Sequence, residues 1–113
     1  MSDTLKMLPK YEEYIVYMNN VLITSPKICR ANIGDELRKT MYKTLLHIYI
    51  LIYVENKFKL NICNELDALF AYQRSLIRSM YELKYIDMKK KINSIKMLGG
   101  YVKSIGVNYA KNV

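Results

Sequence analysis

The chain has 113 residues and carries 18 Lys and Arg against 10 Asp and Glu, a net charge of +8. That length fits one domain with one core. The apolar share of 51% comes from Leu, Ile, Met and Tyr, with four Gly and two Pro, which favours long helices over sheets. Two cysteines, Cys29 and Cys63, are 34 residues apart with no CxxC spacing and read as two reduced, part-buried thiols; a disulfide between them would need an oxidising compartment. The longest apolar run, Leu45 to Val54, is about half a membrane span. The first residues lack an apolar signal core, so the expected location is cytoplasmic, with no membrane as partner.

In chain order, Pro9 suits the first turn of a helix, because its missing N–H would be unpaired there. Tyr11, Ile15, Met18 and Leu22 then form one helical face, and Ser25-Pro26 ends the element, giving a first helix of about 9–24. Asn32 is the expected N-cap of a second helix, about 33–56, with Asp35 and Glu36 in its first turn. Its seam is Leu37, Met41, Leu45, Ile48 and Ile52. Beyond Leu45 the apolar residues spread around the whole circumference, which points to a subunit interface.

A third helix, about 61–84, has the seam Ile62, Leu66, Leu69, Gln73, Leu76, Met80 and Leu83. This near-heptad spacing is that of a left-handed bundle. Gln73 either fixes register or sits at the seam's edge. Asp87 is the expected N-cap of a fourth helix, about 88–109, with the seam Met88, Ile92, Ile95, Gly99, Val102, Gly106 and Tyr109. Gly99 and Gly100 each cost about 1 kcal/mol against Ala in a helix, so a closely approaching neighbour is expected there, or else a helix break. The spacing thus predicts an all-α, up-down-up-down four-helix bundle in one domain.

Charge is uneven along the chain: residues 86–113 hold six lysines and one aspartate. Such a field attracts polyanions. Lys89, Lys90 and Lys91 form a run that Lys96 and Lys103 extend. Arg74 and Arg78 lie four apart on the adjacent helix. Arg can contact phosphate bidentately and Lys as a point charge, while a merely solvated lysine face is the competing reading. Most of the eleven tyrosines follow core spacing; the rest could stack on unpaired bases. Catalytic chemistry finds little support. His47, the single histidine, lies in an apolar run and reads as a satisfied core or interface residue. No metal-ligand spacing and no phosphate-binding glycine loop occur. No cofactor is expected.

Five segments carry a family resemblance: YEEYIVYMNNVL at 11–22, SPK at 25–27, IGDELRKTMY at 33–42, LDALFAYQRSLIRSMYEL at 66–83 and MLGGYVK at 97–103. In their order and spacing they resemble the four-helix bundle proteins that include the accessory variability determinant of diversity-generating retroelements. Relatives are encoded in intervening sequences of bacterial large-subunit ribosomal RNA genes. Tyr101 stands where that family often has Trp, and Ser25 where an aromatic is common. The resemblance implies a homo-oligomer, a barrel-like pentamer, with no catalytic activity. It implies that the protein binds a reverse transcriptase and its template RNA, or an RNA/DNA hybrid. Within matching segments the basic candidates are Lys27, Arg30, Arg38, Lys39, Arg74, Arg78 and Lys103, with Arg74 and Arg78 foremost. The runner-up expectation is a structural bundle of the ribosomal intervening-sequence type with no nucleic-acid role.

Overall fold

The computed structural model describes the backbone of residues 3–112 and the side chains of residues 5–101. Among the described residues the fold is entirely helical: α1 (Asp3–Ile23), α2 (Lys27–Arg30), α3 (Ile33–Tyr53), a 3₁₀ turn (Asn56–Phe58), α4 (Lys59–Glu82) and α5 (Met88–Asn112). At ~1.5 Å per residue, the 24 residues of α4 account for most of the 43 Å long axis, so the long helices run along it. α1 packs against α3 and α5, and α4 against the same two; the single turn of α2 rests on α3.

Individual contacts give the directions. Tyr11 meets Met41 while Gly34 lies against Leu22, so α1 and α3 are antiparallel. Lys10 meets Tyr101, Met18 meets Ser94 and Thr24 meets Lys90, so α1 and α5 are antiparallel too.

The core is set by size and by hydrogen bonding. Tyr11, Tyr14, Phe70 and Tyr101 form an aromatic cluster with ring centroids 5.4–6.2 Å apart. Rings of this size bury the most apolar area per residue, so their positions decide how each helix is rotated. On α4 the buried stripe is Cys63, Leu66, Phe70, Gln73, Ile77 and Met80. The expected seam shared Leu66, Gln73 and Met80 but had Leu69, Leu76 and Leu83; turning Phe70 inward moves those leucines to the flank, and Leu83 is exposed. On α5, Tyr101 turns inward and its hydroxyl donates to the Lys10 carbonyl at 2.7 Å. That rotation buries Ser94 and Leu98, and leaves Met88 and Ile92 at 47% and 54% exposure. Val102, Gly106 and Tyr109 lie outside the described side chains.

Gln73 is fully buried at the centre, not at an edge. Its Nε2 donates to Tyr11 Oη (3.1 Å) and Thr44 Oγ1 (2.9 Å), and its Oε1 accepts from Tyr14 (2.8 Å). Burial raises the tyrosine pKa values, of Tyr14 further helped by the neighbouring Tyr11, so both phenols stay neutral in the fold.

The element ends also differ from expectation. α1 begins at Asp3 rather than near Pro9, with Pro9 inside it. An interior proline can cost about 3 kcal/mol; burial of Met7 at 2% exposure returns roughly 1.5–3 kcal/mol and holds the extra turns. α3 stops at Tyr53, where Val54 becomes extended, and α4 starts two residues earlier than expected, at Lys59. Asn32 does occupy the N-cap of α3, but its side chain makes no capping bond. α5 runs unbroken through Gly99 and Gly100, and a Cβ on either would meet nothing within 4 Å. The close neighbour expected there is absent among the described residues, because the inward turn of Tyr101 points both glycines outward. Gly34 is the glycine that answers to a close approach: a Cβ there would lie 2.7 Å from the Cys29 carbonyl oxygen.

Candidate nucleic-acid interface

The basic residues divide into three groups once their neighbours are known. The first group lies on α2 and α3. Arg30 donates to the carbonyls of Ile23 (2.9 Å) and Ser25 (3.1 Å), capping the C-terminal end of α1, where carbonyls lack helical donors. Arg38 and Lys39 both pair with Asp35, and chiefly the Lys39 hydrogen bond holds that carboxyl below its usual range. Lys27 is exposed on the single turn of α2, apart from the α4–α5 face.

The second group is the lysine run, which α5 separates rather than gathers. Asp87 Oδ1 accepts the Lys90 N–H at 2.9 Å and its carbonyl accepts from Lys91 at 3.1 Å, so the expected N-cap forms and starts the helix here. Successive residues on a helix then point about a third of a turn apart. Lys90 reaches α1, donating to Thr24 Oγ1 at 3.3 Å. Lys91 reaches α4, its Nζ 4.5 Å from the centre of the Tyr81 ring. Lys89 and Lys96 are exposed. The Lys103 side chain lies outside the described residues.

The third group lies on α4. Arg74, Arg78 and Tyr81 are spaced by four and three residues and so share one helical face. The Lys91 contact shows that this face borders α5. Arg78 is exposed, Arg74 half-buried, and among the described residues neither enters an ion pair. On α5, Met88 and Ile92 are exposed. The result is a strip of two guanidiniums and one ammonium, which offers bidentate phosphate contacts.

At one end of this strip the α4–α5 connection forms a cavity of about 470 Å³, lined by Tyr81, Glu82, Lys84, Tyr85, Ile86, Asp87 and Lys90. The connection is a Schellman turn: Tyr85 N–H donates to Met80 C=O (2.8 Å) and Lys84 N–H to Tyr81 C=O (2.9 Å). Lys84 takes the left-handed position at φ 63°, where glycine is usual. The expected third helix ran through Lys84, and of this group only Lys90 was among the expected site residues. The available signal was a helix end three residues before an Asp N-cap with no glycine between them.

His47 faces α4, its Nε2 3.0 Å from Glu65 Oε2, and its Nδ1 lies 3.0 Å from the Lys43 carbonyl. Both cysteines are free and buried, and burial pushes the Cys63 thiol up. Among the described residues no three His, Cys, Asp or Glu side chains gather as a metal site. None of their helices is long and apolar enough to cross a membrane. Tyr11, Tyr14 and Tyr101 serve the core, whereas Tyr42, Tyr49, Tyr53 and Tyr72 are exposed. Comparison of the chain with family models, with curated proteins and with solved structures gives no match.

Proposed function

We propose that the chain is an up-down-up-down four-helix bundle that binds RNA along its α4–α5 face, without catalysis, as the accessory protein of a diversity-generating retroelement. Its partners in this reading are a reverse transcriptase and the template RNA, alone or as an RNA/DNA hybrid, in the cytoplasm. The observation that carries the RNA part is the face of Arg74, Arg78 and Tyr81 meeting Lys91, with both guanidiniums outside any ion pair among the described residues. The retroelement part rests on the sequence resemblance.

The test is binding of single-stranded RNA measured against salt. Each phosphate neutralised contributes roughly 0.7 to the slope of log K against log salt. Replacing Arg74 and Arg78 by Ala is expected to reduce that slope by about 1.4. A wild-type protein that binds no RNA at low salt, or an unchanged slope in the double variant, overturns the RNA reading. Co-purification with the reverse transcriptase encoded beside the gene tests the partner.

A specific observation favours a second reading, the structural bundle. Tyr42, Leu46, Tyr49 and Tyr53 are all exposed along α3 at helical spacing, with Tyr53 at 82%. Single exposed apolar residues are ordinary, but a contiguous stripe suits association with further copies, a pentamer by the resemblance. Sedimentation of the protein without RNA separates the readings: assembly with no RNA affinity supports the structural bundle alone.

A further inference from the structure

We propose that the cavity at the α4–α5 turn receives one unpaired base of a single-stranded nucleic acid, with the flanking phosphates on Lys84 and Lys90. The proposal rests on the RNA reading above and adds to it a site and a preference for unpaired strands.

Three observations converge. The cavity, about 470 Å³, falls within the roughly 300–1,000 Å³ typical of small-ligand sites. Two half-buried tyrosines, Tyr81 and Tyr85, line it, and buried Ile86 contributes its apolar floor. The Lys91 ammonium lies over the Tyr81 ring and adds positive charge beside it.

The lining also selects the kind of ligand. Glu82 and Asp87 stand beside Lys84 and Lys90, so the cavity is close to neutral in formal charge. A bare phosphate gains little there, since the carboxylates oppose it. A base gains more: its ring stacks on tyrosine and its exocyclic N–H groups can donate to Glu82, while its phosphates stay at the lysines. Asp87 is partly committed already, because its Oδ1 accepts the Lys90 N–H.

Lys84 supplies a further observation. It is the one non-glycine residue with positive φ among those described, and it sits where glycine would be strain-free. A left-handed lysine at a ligand-sized cavity is the pattern expected when the side chain is kept for binding at some cost to the fold.

This yields a paired outcome that a purely structural lysine would not give. Lys84→Gly is expected to raise the melting temperature by about 4 °C and to weaken binding of a short oligocytidylate, whose bases carry an exocyclic amino group, about fivefold. Tyr85→Leu, which keeps an apolar body against the core, is expected to weaken the same strand about tenfold by loss of stacking. Binding of a blunt RNA duplex of equal charge should change less than about twofold in both variants, because paired bases cannot enter the cavity. Inorganic phosphate should not compete at matched ionic strength.

Fluorescence anisotropy of the labelled strand and duplex, read with thermal melts, decides the matter. Equal losses for strand and duplex, or no loss in either variant, overturn the cavity proposal and leave the RNA reading standing. A wild-type protein that binds neither probe at low salt overturns both. A fall in melting temperature for Lys84→Gly refutes the strain argument and with it the assignment of Lys84.

Discussion

Replacing Gln73 by Leu tests whether the buried polar network, rather than apolar packing, fixes the core. Leucine fills nearly the same volume, so packing changes little. Two of the three hydrogen-bond partners survive the loss: Tyr11 still donates to the Met41 carbonyl at 2.9 Å, and Thr44 to the Thr40 carbonyl at 2.7 Å. Tyr14 does not, because its hydroxyl donates to Gln73 Oε1 and Tyr14 is fully buried. One orphaned buried donor costs about 2 kcal/mol, or a fall of about 8 °C in melting temperature for a domain of this size. Tyr14→Phe alone leaves Gln73 Oε1 without its donor, at a similar cost of about 2 kcal/mol. The double variant removes donor and acceptor together and should cost only about 1 kcal/mol. Urea denaturation followed by circular dichroism would then show a coupling of about 3 kcal/mol, at the upper end for residues in contact. If the double variant instead costs the sum of the two within about 0.5 kcal/mol, the network does not act as a unit and the reasoning fails.

Two further outcomes follow from the same core and helix packing. Gly99→Ala and Gly100→Ala should each stabilise the fold by about 0.5–1 kcal/mol, because a Cβ at either position meets nothing and helix propensity alone changes; destabilisation in thermal melts would contradict the open space around them. Stability should hold up to about pH 10 and fall above it, since unfolded tyrosines ionise near 10 while burial raises the pKa of Tyr11 and Tyr14 in the fold. The unfolded chain then holds fewer protons than the native one, which lowers the unfolding free energy by up to about 1.4 kcal/mol per pH unit for each tyrosine. Melts of the Tyr11→Phe, Tyr14→Phe variant between pH 9 and pH 11, buffered values chosen to bracket the ionisation at about 10, should show a shallower fall, and an equal one would count against this account.

The helix content and much of the first helix face were legible because period and caps act locally. Tyr11, Ile15, Met18 and Leu22 are all buried as their spacing indicates, and Asp87 caps α5 as its position indicates. The rotations of α4 and α5 were not legible. Two stripes one residue apart satisfied the same spacing on each helix, and the choice was made by Phe70 and Tyr101 meeting Tyr11 and Tyr14 across the core. Periodicity along one helix carries no information about which rings meet on others. The candidate site was partly legible for the same reason. Arg74 and Arg78 share a face by spacing alone, and that was read. That Arg30 caps α1, that Asp35 engages Arg38 and Lys39, and that Lys89 to Lys91 diverge depends on neighbours far away in sequence.

The ring of helices has one seam that chain order does not bring together. α1 and α3, α3 and α4, and α4 and α5 are joined by short connections, so pairing each closes a loop of few residues. α1 and α5 meet only through contacts such as Ser94 with Met18 and Tyr101 with Lys10, 76 and 91 residues apart. Closing a loop that long costs about 2–3 kcal/mol more in chain entropy than closing a tight hairpin, since the cost grows only with the logarithm of length. That entropic charge falls on a single interface. Tyr101 therefore sits where the topology makes its heaviest demand, and its ring and its hydroxyl both meet α1.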